Sequence, residues 1–424
     1  MTAADTDTLT ARDARVCWHP FTQAATEPEP LPVQSARGSS LVLEDGTELI
    51  DGISSWWSIL HGHAEPALVE AAVRQMSRLD HVLFAGTTHE PAVALAERLG
   101  RIAPGSALTR CFFSDNGSTA VEVGLKMALQ SLAQEGRPKA RTFVTLEGGY
   151  HGDTFGSMAV GDPDPYFAPF KDLLFRTVRV APEPGAVRDA LEALGDRAAG
   201  VVLEPIVQGA AGMRVHGADL VRAVREECTA RGIVMIADEV MTGFGRTGRL
   251  FACEHADVAP DVLCLAKGLT GGVFPMSVTL TSDAMYERFW SDEPTRALFH
   301  GHTFTAHPVG CAIALASLEL VLGRDVPARL DAIGARIHAG LDSVEERSDV
   351  TNLRHVGGMV AFDLPAAEVG YMSGRSRALR RVAAEHSVLL RPLGNVVYAL
   401  PPACLTGDEC DRVARAMRAM AEAR

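Results

Sequence analysis

The chain has 424 residues, enough for two or three domains of roughly 150 residues each. Its apolar and charged fractions, 47% and 22%, are those of a folded globular protein and exclude disordered, collagen-like and coiled-coil classes. With 40 basic against 53 acidic residues the formal charge is −13, so no global positive field would hold nucleic acid or an anionic membrane, and a small-molecule partner is expected.

Eight cysteines are scattered along the chain without C-x-x-C spacing, several inside apolar runs, and read as reduced core thiols of a cytoplasmic protein. The first thirty residues show no basic head followed by an apolar run. No apolar stretch reaches the ~18 residues of a membrane span, so neither secretion nor membrane insertion is expected.

In chain order, residues 1–15 are polar and expected to be loose. Leu41 to Ile50 places two short apolar runs around Asp45-Gly46, which predicts a hairpin. From about residue 65, helical stretches alternate with apolar runs at 111–113, 141–146, 200–203, 233–237 and 262–266. Such runs suit parallel strands buried on both faces, so the fold class is α/β. After about residue 320, helical patterns at 326–345 and 376–385 flank strand-like pieces at 358–362 and 395–399, which predicts a smaller α+β lobe. The expected division is 1–60 as an N-terminal segment packing with the small lobe, 61–320 as the large ligand-binding domain, and 321–424 as the small C-terminal domain.

Each apolar run is followed by polar residues: Ser114-Asp-Asn-Gly-Ser118, Glu147-Gly-Gly-Tyr-His-Gly-Asp153, Glu204, Asp238-Glu239 and Lys267. Open α/β sheets bind ligands beyond the carboxyl ends of their strands, so one site built from all five ends is the economical reading. Taken singly, each signal has a plain structural explanation: an exposed lysine, a strand-end carboxylate, a helix N-cap, a surface turn. Together they fit pyridoxal phosphate. A desolvated Lys267 amine would form a Schiff base, Asp238 would face a pyridinium nitrogen, and the helix start at Gly117 would seat a phosphate. Tyr150 would stack on a flat ring and Asp153 would take a polar substrate group.

The runs Glu204-Pro-Ile-Val-Gln-Gly209, Ile236-Ala-Asp-Glu-Val240, Thr242-Gly-Phe-Gly-Arg-Thr-Gly248 and Ala266-Lys-Gly-Leu-Thr-Gly-Gly272 resemble the class III aminotransferases of the type I pyridoxal phosphate fold. The resemblance extends from Trp18 to Pro402. It implies a mostly parallel central sheet with helices on both faces, a smaller α+β lobe, pyridoxal 5'-phosphate as cofactor, and ping-pong transamination through its amine form. Within the family, Asp51-Gly-Ile-Ser-Ser-Trp-Trp57, Gly149-Tyr-His-Gly-Asp-Thr154 and Arg391-Pro-Leu-Gly394 resemble the branch that aminates 8-amino-7-oxononanoate in biotin biosynthesis.

Carried over residue by residue, the resemblance makes Lys267 the Schiff-base lysine and Asp238 the pyridinium partner. It places Gly117, Ser118, Tyr150, His302 and Thr303 around the cofactor, with Thr303 supplied by the other subunit of a homodimer. Phe21, Trp56, Trp57, Tyr150, Asp153, Gly301 and Arg391 would shape the substrate pocket, and Arg391 would receive the acceptor carboxylate. Two positions depart from the usual pattern: Phe21 stands where the family often has Tyr, and His302 where it usually has Pro. Both variants resemble a lysine-using branch, whereas Trp56-Trp57 and Arg246 favour S-adenosylmethionine as amino donor. Another ω-aminotransferase or an aminomutase is the alternative on the same fold. A dehydrogenase is disfavoured because no Gly-x-Gly-x-x-Gly opens directly from a strand.

Overall fold

The apolar runs of the middle of the chain become a seven-stranded sheet in the structure, a computed structural model that describes residues 8–162, 167–365 and 375–423. From one edge the order is Arg110–Ser114, Ser277–Thr281, Val262–Leu265, Val234–Asp238, Ala198–Leu203, Thr142–Leu146 and Val178–Val180. Six strands run one way. Ser277–Thr281 runs antiparallel to both of its neighbours.

Alternate residues along the central strands enter different cores, as a sheet covered on both faces requires. Val202, Ile236 and Val262 pack with Ala120, Val121 and Leu125 of the helix Gly117–Gln134. Val201 and Met235 point the other way, to Leu191 of the helix Pro184–Leu194 and Val221 of the helix Ala218–Arg231. This is the mostly parallel, doubly covered sheet expected from the sequence.

The predicted hairpin is present: Ser40–Leu43 pairs antiparallel with Glu48–Asp51 around Gly46, whose φ of 83° suits glycine. Its second strand also pairs, in parallel, with Val388–Leu389, joining the two ends of the chain in one sheet. The C-terminal lobe has a three-stranded antiparallel sheet of Thr351–Val356, Met359–Asp363 and Val396–Ala399, packed by the helices Val326–Ala339 and Gly407–Glu422.

Several expectations need correction. Of the segment expected to be loose, residues 1–7 lie outside the described residues, and Leu9–Val16 is a helix whose first turn is capped by Thr8 Oγ1, which accepts the Ala11 N–H at 3.2 Å. The helical pattern at 326–345 breaks at Gly340 into two helices. All eight cysteines are free; five are buried, but Cys17 is exposed rather than a core thiol. Among the described residues no helix is long and apolar enough to cross a membrane.

Candidate active site

The carboxyl ends of five strands converge on one cavity of about 720 Å³, lined by Gly117, Tyr150, Glu204, Asp238 and Lys267, one from each segment that follows an apolar run. Lys267 opens a short 3-10 turn after the strand Val262–Leu265, with φ at 46°, a left-handed value unusual for a side-chain-bearing residue. Its Nζ stands 4.7 Å over the centre of the Trp57 ring. Burial is the main cause that lowers its pKa to about 8; the Arg246 charge adds to this, while Asp238 and Glu204 oppose it. A substantial share of neutral amine is therefore available in mildly alkaline solution.

Asp238 ends the strand Val234–Asp238 and is buried. Its Oδ2 lies 2.7 Å from His151 Nδ1, and its Oδ1 accepts the Val240 N–H at 3.1 Å. Burial opposes the charged imidazole of His151, but the hydrogen bond and charge of Asp238, with help from Glu204, outweigh it and raise the histidine pKa. Glu204 uses both oxygens on backbone, accepting the Tyr150 N–H at 3.1 Å and the Gly209 N–H at 2.9 Å. Its burial raises its pKa to about 7.

Beside this acid and amine, the helix Gly117–Gln134 points its N-terminus into the cavity. Asn116 and Thr119 form a capping box, and Ser118 Oγ lies 2.7 Å from Thr154 Oγ1 and accepts the Thr154 N–H at 3.0 Å. A Cβ at Gly117 would meet Val240 Cγ1 at 2.6 Å, so the packing at the helix start leaves no room for a side chain. Amides at a helix start, a hydroxyl, a carboxylate and a neutral amine around one cavity match the donor set that pyridoxal 5'-phosphate needs. The residues present fit the group.

A second, apolar pocket of about 310 Å³ opens on the same lysine, lined by Phe21, Trp56, Trp57, Tyr150 and Leu393 among others. Its wall comes from an unusual backbone: Ser54, Ser55, Trp56 and Trp57 all have positive φ, between 43° and 73°. A left-handed turn costs roughly 1–2 kcal/mol per non-glycine residue and persists only where its surroundings over-determine it. Here they do. The fully buried Asp51 accepts the Ser55 N–H at 2.9 Å and the Ser55 hydroxyl at 2.7 Å, while His63 Nε2 meets the same carboxylate at 2.9 Å. From below, the buried Arg246 donates to Pro401 O at 2.8 Å and Trp57 O at 3.1 Å, and Trp57 Nε1–H donates to the Tyr398 hydroxyl at 3.0 Å. Trp57 is thereby buried, and Trp56 is left at the rim with Phe21 edge-on at 5.5 Å and the Arg391 guanidinium 5.4 Å over its ring.

The expected site residues Gly117, Ser118, Tyr150, Asp153, Asp238, Lys267, Trp57, Trp56 and Phe21 thus line the two cavities, with Arg391 against Trp56. Asp153 Oδ1 accepts the Tyr150 hydroxyl at 3.0 Å. Gly301, His302 and Thr303 line neither cavity of this chain. Sequence reasoning passed over the roles of His151 and Glu204, although both sit inside quoted motifs. Their signal was a polar residue within a strand-end turn, which by itself does not say which neighbour it meets.

A model of the family described as aminotransferase class-III matches residues 22–421. The chain belongs to the class-III aminotransferases. Among relatives of this class-III aminotransferase, the adenosylmethionine-8-amino-7-oxononanoate aminotransferase of Synechococcus elongatus is 47% identical over 92% of this chain and 95% of its own. The protein of that name from Geobacter sulfurreducens is 39% identical over 96% of both. Among solved structures, the adenosylmethionine-8-amino-7-oxononanoate aminotransferase of Methanocaldococcus jannaschii superposes with a TM-score of 0.94 at 31% identity, covering 98% of each chain. A PLP-bound amine transaminase from an uncultivated Pseudomonas species gives a TM-score of 0.90 at 32% identity, covering 96% of this chain and 98% of its own. The fold of this class-III aminotransferase is the type I pyridoxal-phosphate transferase fold, and the enzyme is a transaminase.

Proposed function

We propose that the chain transfers an amino group to 8-amino-7-oxononanoate in biotin biosynthesis, with S-adenosylmethionine as donor. It would act in the cytoplasm, as a homodimer with shared active sites. The observation that carries this reading is the apolar pocket walled by Trp56 and Trp57 that opens on the Lys267 amine with Arg391 at its rim. A long aliphatic keto acid needs such a wall for its methylenes and a planar cation for its carboxylate. The names of the relatives from Synechococcus elongatus and Geobacter sulfurreducens support both the acceptor and the donor. Eight free thiols suit a reducing compartment.

Pyridoxal 5'-phosphate, when bound, supplies an aldehyde that captures amines and a ring that takes up electrons when a carbon–hydrogen bond breaks. Lys267 Nζ, neutral in part because it is buried, removes the proton from the amine-bearing carbon of the donor and returns a proton to the carbon of the acceptor. Asp238, fixed by His151, would keep a proton on the cofactor's ring nitrogen. Gly117 and Ser118 would hold the phosphate at the helix start, and Tyr150 would pack beside the ring. The tryptophan pair excludes water from the acceptor chain, and Arg391 orients its carboxylate. Thr303, outside both cavities of its own chain, together with His302 and Gly301 would complete the cofactor and substrate sites across the dimer.

A second reading keeps the acceptor and makes lysine the donor; Phe21, which brings no hydroxyl to the pocket, favours it. The deciding experiment mixes the cofactor-loaded protein separately with S-adenosylmethionine and with lysine, and follows loss of the cofactor's aldehyde absorbance. Bleaching by S-adenosylmethionine alone is expected. Bleaching by lysine alone would reassign the donor, and failure to aminate 8-amino-7-oxononanoate after either donor would overturn the acceptor.

A further inference from the structure

We propose that Asp51 is a positioning residue that sets selectivity for long-chain substrates by holding the left-handed Ser54–Trp57 turn as the wall of the apolar pocket. The proposal rests on the reading of that pocket as the site of an extended aliphatic chain, and goes beyond it by naming what fixes the wall. Asp51 makes no lining contact with either cavity, so it acts through others. It is fully buried, yet three groups of the turn's entry are donated to it: the Ile53 N–H at 3.3 Å, the Ser55 N–H at 2.9 Å and the Ser55 hydroxyl at 2.7 Å. His63 supplies the fourth contact at 2.9 Å, so every lone-pair direction of the carboxylate has a partner.

None of the four residues in the turn is glycine, and all four have positive φ. Released from Asp51, the backbone has an ordinary right-handed or extended conformation to relax into, and that relaxation would swing the Trp56 indole out of the wall, while Trp57 stays held by Arg246 and the Tyr398 hydroxyl. A short substrate at Lys267 would meet Trp57 but not Trp56 at the rim, and would not register the change. A long one would. The clamp therefore separates selectivity from stability: it spends fold stability to hold a shape that only a long ligand senses.

Ser55→Gly weakens the clamp, because glycine accepts φ of 43° without strain while deleting the hydroxyl that bonds Asp51; Ser55 also lines the apolar pocket, so Ser55→Ala, which keeps the Cβ there, is measured beside it. The cofactor-loaded protein is mixed with short and with long straight-chain ω-amino acids, and kcat/KM of each half-reaction is read from loss of the aldehyde absorbance. The wild type is expected to favour the long chain, and Ser55→Gly to lower the long-to-short ratio by about tenfold, the order set by losing one or two methylene contacts. Its Tm is expected to equal or exceed that of the wild type. Asp51→Asn, which removes the charge and two acceptor directions, is expected to lower the ratio further; should it fail to fold, Ser55→Gly still decides. A Ser55→Gly protein with an unchanged ratio overturns the proposal. So does a ratio that falls only together with Tm, which is what a merely structural clamp would give, and so does a wild type indifferent to chain length. Because no keto acid enters this assay, its failure is distinct from failure of the wild type to aminate 8-amino-7-oxononanoate.

Discussion

His151 Nδ1 stands 2.7 Å from Asp238 Oδ2, with both side chains buried at the carboxyl end of the strand Val234–Asp238. The pairing aims the carboxylate, and the charge it favours on the imidazole gives the pair a net neutral character that burial tolerates. Asp238→Ala is expected to lower kcat by about two to four orders of magnitude, the span usual for loss of a proton-holding group, while circular dichroism shows the fold intact. Near-wild-type kinetics would remove Asp238 from the mechanism.

Lys267→Ala is expected to abolish turnover and the absorbance of the lysine-bound cofactor. In the cofactor-free wild type the lowered pKa gives a further sign: the amine is mostly protonated below about 8 and free above it. The rate at which an amine-acylating reagent modifies Lys267, read by mass spectrometry against pH, should rise with a midpoint near 8. A midpoint at the ordinary lysine value of 10.5 would show that burial does not desolvate it.

Glu239 is fully buried, accepts the Ala252 N–H at 2.6 Å and the Cys253 N–H at 2.9 Å, and is pushed by burial from 4.5 up to about 7. A carboxyl whose pKa is raised on folding keeps its proton longer in the native state than in the unfolded one. Its contribution to stability is therefore complete below about 4.5 and is lost as pH rises through about 7. The unfolding free energy of the wild type relative to Glu239→Gln should fall across that window by roughly 3 kcal/mol at most, measured by denaturant titration. A difference independent of pH would refute the shift.

Arg391→Ala removes the cation 5.4 Å over Trp56. Loss of a hydrogen-bonded ion pair to a carboxylate costs about 1.5–3 kcal/mol, so KM for 8-amino-7-oxononanoate is expected to rise roughly ten- to a hundredfold. Steady-state kinetics on the acceptor half-reaction provides the check. An unchanged KM would place the acceptor carboxylate elsewhere.

The sheet was legible where hydrophobicity was continuous. Val234–Asp238 and Val262–Leu265 are apolar along nearly their whole length because both faces are covered, and the polar residue after each run then marks the ligand edge. Ser277–Thr281 and Val178–Val180 were not anticipated: the first alternates hydroxyls with aliphatics, and the second is only three residues with an arginine at its centre. The start of the site was readable at Asp238 and Lys267, whose chemistry is uncommon at a strand end. The left-handed turn at Ser54–Trp57 was not, because no glycine announces it and the groups that enforce it come from Asp51, Arg246 and Tyr398, far apart in sequence. Gly301, His302 and Thr303 line neither of the two cavities of a single chain.

The parallel pairing of Ile50 with Val388 has a temporal consequence. During synthesis the N-terminal hairpin leaves the ribosome long before the strand that flanks it, and Leu400, whose carbonyl accepts the Ser54 hydroxyl at 2.8 Å, emerges later still. Contacts of such sequence separation are costly to close, so the wall of the substrate chamber depends on chain made long after the hairpin it is built on. The chamber cannot close before the chain has been made through Leu400.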